Sequence, residues 1–467
     1  MKQEKFKNIY MIGIKGVGMT TLAQFLVASG HHVLGSDTAE TFMTDNVLKK
    51  LKIKVKSPFK EENLPVQNDL VIYSIAYNAK NNIEMKALAE RVGQGEKIKI
   101  LSYSEALGEI VSSGRGIAVC GSHGKTTTSA WLGYVLWKSG KNPNVFVGSN
   151  VPQFQSNGLY GKSNIFVTEA DEYGNKLQYI KPYGVLLNNI DYDHPDFFKT
   201  EADYLKAFID FVKKIPKNGF LVVNNRDAYT KQIKRNCLSK IISYDLETIG
   251  QSRETVNYFA YDLKNKNNAQ TFKVNNFGEF KIRLWGEHNV SNALAVIAAA
   301  LELKVSLQNV KKYLGEFKGT ERRLQYLGKY KGAMIIDDYA HHPTEIKATL
   351  RGVRGHYSAK NIITVFHPHT FTRTKALFND FVKSFENTDE LIVLDIYGSA
   401  REKQGGTSSK LLVQAISAYN SRNKINQNIL NIKSIKEVSQ YLKKKLTKND
   451  LVLLMGAGDV FRVYDNL

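Results

Sequence analysis

The residues with the clearest chemical meaning are Gly121-Ser122-His123-Gly124-Lys125-Thr126-Thr127, which follow the apolar run Ile117 to Cys120 and precede a helical pattern. Glycines let successive backbone N–H groups turn inward around phosphate oxygens, and the helix start adds partial positive charge. Lys125 has the reach for β- and γ-phosphates, and Thr126 offers a hydroxyl to Mg²⁺. The loop is shorter than a strict GxxxxGK[ST], because Val119 stands where the first glycine would be. A chance GKT at a helix start is the bland reading. The order of strand, glycines, lysine and helix favours an ATP site.

Other chemistry-bearing clusters sit at the ends of apolar runs. Glu169-Ala170-Asp171-Glu172 follows NIFVT, and Asn189-Ile190-Asp191-Tyr192-Asp193-His194 follows GVLLN. Acids there cap helices in many proteins. Beside a phosphate loop they suit Mg²⁺, which takes oxygen ligands and keeps waters, with His194 as a nitrogen ligand or general base. Trp285-Gly286-Glu287-His288-Asn289-Val290-Ser291-Asn292 enters a helix, and an Asn amide matches the donor and acceptor of an adenine edge; ordinary capping is the alternative. Asp337 to Glu345 and His367 to Thr374 bring His, acid and Arg to two strand ends, the composition of a substrate edge. Zinc on His341, His342, His367 and His369 is a rival that no HExxH or cysteine pair supports.

A second glycine loop, Gly13-Ile14-Lys15-Gly16-Val17-Gly18-Met19, follows IYMI, and the next strand ends at Ser36-Asp37. This is a dinucleotide-fold arrangement that holds a diphosphate. Lys15 occupies the second glycine of GxGxxG. That disfavours a dehydrogenase cofactor and places a positive charge beside the diphosphate of a nucleotide-linked substrate.

The elements that must position these groups are short apolar strands alternating with helical patterns, from NIYMIGI to LVLLMGAG. Uninterrupted apolar strands separated by helices predict mainly parallel sheets covered on both faces, with ligand loops at the carboxyl ends. The expected class is α/β in three domains: a Rossmann-like domain over 1–108, a central phosphate-loop domain over 109–323 and a Rossmann-like domain over 324–467. Residues 257–281 read as a hairpin in the second, and the third holds four strands. The chain has 467 residues, 43% hydrophobic and 23% charged, as in a soluble protein. It shows no apolar run of about 18 residues and no signal-peptide pattern. Two distant cysteines, Cys120 and Cys237, suit a reduced cytoplasmic compartment. The net charge of +21 comes from scattered lysines without interleaved aromatics. It points to a solvated surface that favours anionic substrates rather than to a nucleic-acid groove or membrane insertion.

Together, GSHGKTTT, EADE, NIDYDH, GEHNVSNALA, DDYAHHPTE, PHTFTRT and LLMGAGD resemble the Mur ligases in order and over nearly the whole chain. The resemblance implies ATP-dependent joining of an amino acid, L-alanine, to the carboxylate of UDP-N-acetylmuramate through an acyl phosphate, in peptidoglycan precursor synthesis. It implies ATP and Mg²⁺ as cofactors and a monomer or homodimer. The UDP-sugar falls to Gly13, Lys15, Gly16, Val17, Gly18, Met19, Asp37 and Ser74. ATP falls to Gly121, Ser122, His123, Gly124, Lys125, Thr126, Thr127, His288, Asn289, Asn292, Arg323 and Asp338. The metal falls to Thr126, Glu169 and His194, and the amino acid to Tyr339, His341 and Arg373. Lys125, His194, Arg323 and His341 are the expected catalytic groups. Three positions depart from the family pattern: Lys15 and Thr370 replace a glycine and an arginine, and Asp171-Glu172-Tyr173-Gly174 replaces DESD. EADEY leans toward a relative that attaches a whole murein tripeptide, and PHTFTRT leans back to a single amino acid. A nucleotide-regulated binding protein without turnover is the reading from a different class.

Overall fold

The computed structural model describes residues 7–42, 44–66, 70–247, 256–266, 269–398, 402 and 405–467. It contains three sheets, one per expected domain. The first has five parallel strands in the order Val55–Lys56, His32–Ser36, Asn8–Ile12, Leu70–Tyr73, Lys99–Ser102. Tyr10, Met11 and Ile12 are fully buried, as an apolar strand covered on both faces requires. The strand order reverses between Asn8–Ile12 and Leu70–Tyr73. Gly13 and Ser74 leave the sheet there, where open parallel sheets bind ligands.

A helix over Tyr103–Val111, opened by a Ser102/Glu105 capping box, leads out of this sheet. Residue 108, the expected boundary, lies inside it, and the second sheet begins at Arg115. A Cβ on Gly108 would stand 2.3 Å from the Tyr179 carbonyl oxygen, so the helix lies directly against the central domain.

The second sheet has ten strands with Arg115–Cys120 between Gly184–Leu187 and Ile165–Glu169. The phosphate loop therefore emerges at the middle of the molecule. The helices Lys125–Lys138 and Glu287–Glu302 are buried nearly all round, as expected of helices enclosed by other elements. Trp131 stacks on Phe317 at 5.4 Å and donates its indole N–H to the Leu314 carbonyl, which fixes the first helix against the segment leading to the third domain. The expected hairpin is a three-stranded antiparallel meander, Tyr258–Lys266, Ala269–Val274 and Gly278–Ile282. It extends the same sheet through parallel pairing with Lys240–Leu246.

The third sheet runs Gln325–Tyr330, Ala333–Asp338, Asp450–Met455, Asn361–Phe366, Glu390–Val393, Asn428–Asn431. It has six strands rather than four. The two extra ones are edges, one antiparallel and one of four residues, and neither carries the buried apolar run that marks the inner strands. Trp285 of the central domain stacks on His356 of the third at 4.9 Å and 3° between planes.

Candidate functional site

The phosphate loop takes its shape from two glycines in conformations that L side chains rarely adopt. Gly121 has φ +119° and Gly124 has φ +78°. A Cβ on Gly124 would meet the Asn292 side-chain oxygen at 2.6 Å, so helix Glu287–Glu302 packs directly on the loop. Asn189 grips it from the other side. Its carbonyl accepts from Ser122 N at 3.1 Å, and its side chain accepts from His123 N at 2.8 Å.

Lys125 is folded back. Its ammonium donates to the Gly121 and Ser122 carbonyls at 2.6 and 3.2 Å, and to Glu172 at 2.9 Å. Glu172 is fully buried and also accepts from Tyr204 OH at 3.1 Å. Burial opposes the charge on Lys125, but Glu172, Asp171 and Glu169 hold its pKa above the usual lysine value. The expected metal residues separate into two groups. Thr126 Oγ1 donates to Glu169 Oε1 at 2.8 Å, and Glu169 Oε2 accepts from Gly148 N at 2.8 Å. His194 converges instead with Asp171 and Glu172, their ligating atoms lying within 4.8 Å of one another.

Lys125 and Glu169 line a cavity of about 220 Å³ whose other wall carries Thr21, Tyr103, Ser104 and Leu107. On the opposite side of the loop, a cavity of about 930 Å³ is lined by His123, Gly124, Thr127, His288, Asn289, Asn292, Arg323, Asp338 and Glu345. Of the twelve residues expected around ATP, Gly121, Ser122, Lys125 and Thr126 do not line this cavity, and Lys125 faces the smaller one; the other eight share it, and it has the size of small-molecule sites and is lined by both the central and the third domain. Asn289 does not point a free amide at that space: it donates to the Trp285 carbonyl at 2.9 Å. Burial and Arg323 lower the His288 pKa to about 4, so its ring is neutral.

Glu345 is a hub that the motif reading did not single out. It accepts from His123 Nδ1 at 3.3 Å and His341 N at 3.2 Å, and faces Arg323 Nη1 at 3.6 Å. Burial opposes charge on His123, but its hydrogen bonds to Asp191 and Glu345 raise its pKa to about 9. Asp338 accepts from Leu324 N at 2.8 Å and Ala340 N at 2.9 Å, so it fixes the backbone around Arg323. Arg323 lies over Tyr339, 5.1 Å from the ring centre. His341 contacts the rings of Tyr339 and His369, and burial and Arg373 lower its pKa to about 3. Tyr339 and His341 therefore share one edge, with Arg373 reaching His369 at 3.3 Å. Among the described residues the four histidines of the zinc alternative form no ligating cluster. His342 groups with His123 and Asp191 instead.

In the first domain, Gly13 N and Ile14 N donate to the Ser36 carbonyl, and Lys15 N donates to Asp37 Oδ2 at 2.7 Å. Gly16 caps the helix Val17–Ala28, whose first turn holds Gly18 and Met19; a Cβ on Gly18 would strike Tyr103 at 2.7 Å. The Lys15 ammonium does not face the loop's open side. It is buried, donates to the Thr38 and Glu40 carbonyls at 3.0 and 2.7 Å, and pairs with Asp45 at 3.5 Å. A side chain long enough to reach carbonyl acceptors satisfies its charge there.

A central phosphate-loop domain with carboxylates at the loop, flanked by two parallel-sheet domains of which one closes over the nucleotide cavity, defines a nucleotide-dependent ligase architecture. Three family profiles match in succession: Mur ligase family, catalytic domain, over 8–115; Mur ligase middle domain over 119–300; and Mur ligase, glutamate ligase domain, over 322–458. The chain belongs to the Mur ligase family. It is 38% identical to the UDP-N-acetylmuramate–L-alanine ligase of Desulfitobacterium hafniense, over 98% of this chain and 99% of that one. It is 37% identical to the enzyme of that name from Caldanaerobacter subterraneus, over 98% and 97%. The fold is similar to that of UDP-N-acetylmuramate–alanine ligase from Thermotoga maritima, with TM-score 0.76, 24% identity and 98% of both chains covered. It is also similar to a murein peptide ligase from Psychrobacter arcticus, with TM-score 0.69, 22% identity and 98% of both chains covered. Among the described residues no helix is long and apolar enough to cross a membrane.

Proposed function

We propose that the chain joins L-alanine to the carboxylate of UDP-N-acetylmuramate, converting ATP to ADP and phosphate, as a cytoplasmic step of peptidoglycan precursor synthesis. The observation that carries this reading is the place of the phosphate loop between two cavities, with Gly124 and Thr127 lining the larger and Lys125 the smaller. The larger also carries His288, Asn292, Arg323 and Asp338 of the expected nucleotide residues; the smaller opens between the first and central domains, where a sugar acid held by the first glycine loop would arrive. The UDP-sugar is assigned to the loop Gly13–Met19 with Asp37 and Ser74, and the amino acid to the edge of Tyr339, His341 and Arg373.

The sugar carboxylate attacks the γ-phosphorus of ATP, giving an acyl phosphate and ADP. The amine then attacks the acyl carbon and phosphate leaves. Lys125 exchanges Glu172 for the transferring phosphoryl oxygens, and Arg323 supplies a second fixed positive charge from the cavity wall. The Thr126 hydroxyl and the Glu169 carboxylate are oxygen donors that fit Mg²⁺. A magnesium ion bound there would neutralise phosphate charge. Closure of the third domain excludes water from the activated carboxyl.

The test is ADP release by the full chain with UDP-N-acetylmuramate, Mg²⁺ and a panel of L-alanine, L-serine, glycine and murein tripeptide. The expected result is ADP formation that needs the sugar nucleotide and is fastest with L-alanine. Activity with the tripeptide alone would assign the recycling reaction toward which EADEY leans. ATP hydrolysis indifferent to the sugar nucleotide would overturn the ligase reading.

A further inference from the structure

Arg373 and Asp193 belong to different domains and are both buried, with side chains 8% and 9% exposed. The guanidinium donates from Nε to Asp193 Oδ1 at 3.0 Å and from Nη2 to Oδ2 at 3.2 Å, a two-pronged pair across the domain interface. Its remaining Nη1 meets His369 Nδ1 at 3.3 Å. Burial of two charges is favourable only while both partners are present.

The geometry on each side is held deliberately. Thr370 sits at φ +67°, ψ 137°, a conformation nearly closed to a β-branched residue, and its Oγ1 accepts from Arg373 N at 3.3 Å. On the other side, Asp193 belongs to the loop 189–194, whose next residue, His194, has φ +59° and donates its N–H to Asp193 Oδ1. The same loop grips the phosphate loop through Asn189, and through Asp191 N, which donates to Ser122 Oγ at 2.8 Å. One loop therefore touches the nucleotide-binding turn at its start and Arg373 at its end. A second contact, Thr344 Oγ1 to Asp191 Oδ2 at 2.5 Å, crosses the interface beside it.

We propose that Asp193 is a positioning residue that locks Arg373 across the closed domain interface, so that the amine side of the site is assembled only when the phosphate loop and the third domain are brought together. This rests on the ligase reading above. Without the lock, the third domain closes loosely and Arg373 keeps no fixed direction. The acyl phosphate then meets water before it meets the amine; hydrolysis returns the free carboxylate and phosphate, so ADP forms without amide.

The test uses full-length wild type, Asp193→Asn, Asp193→Glu, Arg373→Gln and the double variant Asp193→Asn/Arg373→Gln, with each substrate varied in turn. Asp193→Asn is expected to raise KM for L-alanine about tenfold or more. KM for ATP should stay within about threefold, and the ADP-to-amide ratio should rise above one. Asp193→Glu should recover part of the coupling. The double variant should lose no more than Arg373→Gln alone, because the two side chains act as one unit. That double variant also leaves no unpaired buried charge, so it stays testable if Asp193→Asn does not fold. Unchanged amine KM and coupling in Asp193→Asn, or full additivity in the double variant, would overturn the proposal. If wild type gives no sugar-dependent ADP, the ligase reading fails instead. The pair is then judged by the same double-mutant cycle in thermal unfolding, where additivity overturns it.

Discussion

Lys125 hydrogen-bonds three residues inside the protein, Gly121, Ser122 and Glu172, and Glu172 is the partner that phosphoryl oxygens would replace. Lys125→Ala is expected to lower turnover by roughly 100-fold or more while the far-ultraviolet circular dichroism stays that of the wild type. Retention of more than about a tenth of wild-type activity would count against the phosphate-loop role. His123 gives a pH signature. Its folded pKa, about 9, lies above its ordinary 6.5 because Asp191 and Glu345 outweigh burial. The stability this contributes is complete below about pH 6.5 and is lost as pH rises through about 9. Melting temperature should therefore fall between pH 7 and 9.5, and His123→Gln should flatten that fall. The places of Lys125 and Thr126 at the head of a helix were legible from local order, strand, glycines, lysine, hydroxyl, and that of Glu169 from the end of the run NIFVT. Glu172 and Glu345 were not, although both lie inside quoted motifs. Their importance comes from partners 47 and 222 positions away, Lys125 and His123, which no local pattern reveals. Lys15 illustrates the converse. Its place in the loop was read from spacing, but the direction of its ammonium depends on carbonyls beyond the next strand.

At the scale of the element, the phosphate turn and the helix Glu287–Glu302 are one unit. Gly124 has a left-handed backbone, and a Cβ there collides with Asn292. Gly124→Ala should cost about 1–3 kcal/mol in local strain and raise KM for ATP by roughly tenfold, since 1.4 kcal/mol is one factor of ten. Isothermal titration with a non-hydrolysable ATP analogue checks it, and unchanged affinity would refute the packing argument. Inner strands such as Arg115–Cys120, Gly184–Leu187 and Asp450–Met455 were readable because each is a continuous apolar run covered on both faces. Gln325–Tyr330 and Asn428–Asn431 were not. Edge strands face water on one side and carry polar residues, so their pairing is decided by what they dock against rather than by composition. The boundary expected near 108 falls inside a helix for a related reason. The helix that crosses it is capped at Ser102 and runs on because Gly108 lets it approach Tyr179, a contact invisible before the fold is known.

Across the whole molecule, the joint between the central and third domains is a three-residue device. Arg322 and Leu324 have φ +59° and +48°, and Arg323 between them enters the nucleotide cavity. Arg322 is fastened to the third domain, donating to Asp337 at 3.1 Å and to the Gly456 carbonyl at 2.8 Å. Burial raises the Asp337 pKa to about 6 even beside Arg322. A carboxyl with a raised folded pKa contributes stability that is complete below its ordinary value and is lost as pH rises through about 6. Arg322→Ala removes the partner that favours ionisation. Its loss of melting temperature is expected to be larger at pH 8 than at pH 5, and equal losses would show that Asp337 does not titrate at this joint.

The 930 Å³ cavity has a floor in one domain and a ceiling in another. A nucleotide held there would rest on both at once. Any turning of residues 324–467 against the central domain would therefore redraw the nucleotide's own contacts, so that the hinge and the ligand grip are one mechanical system.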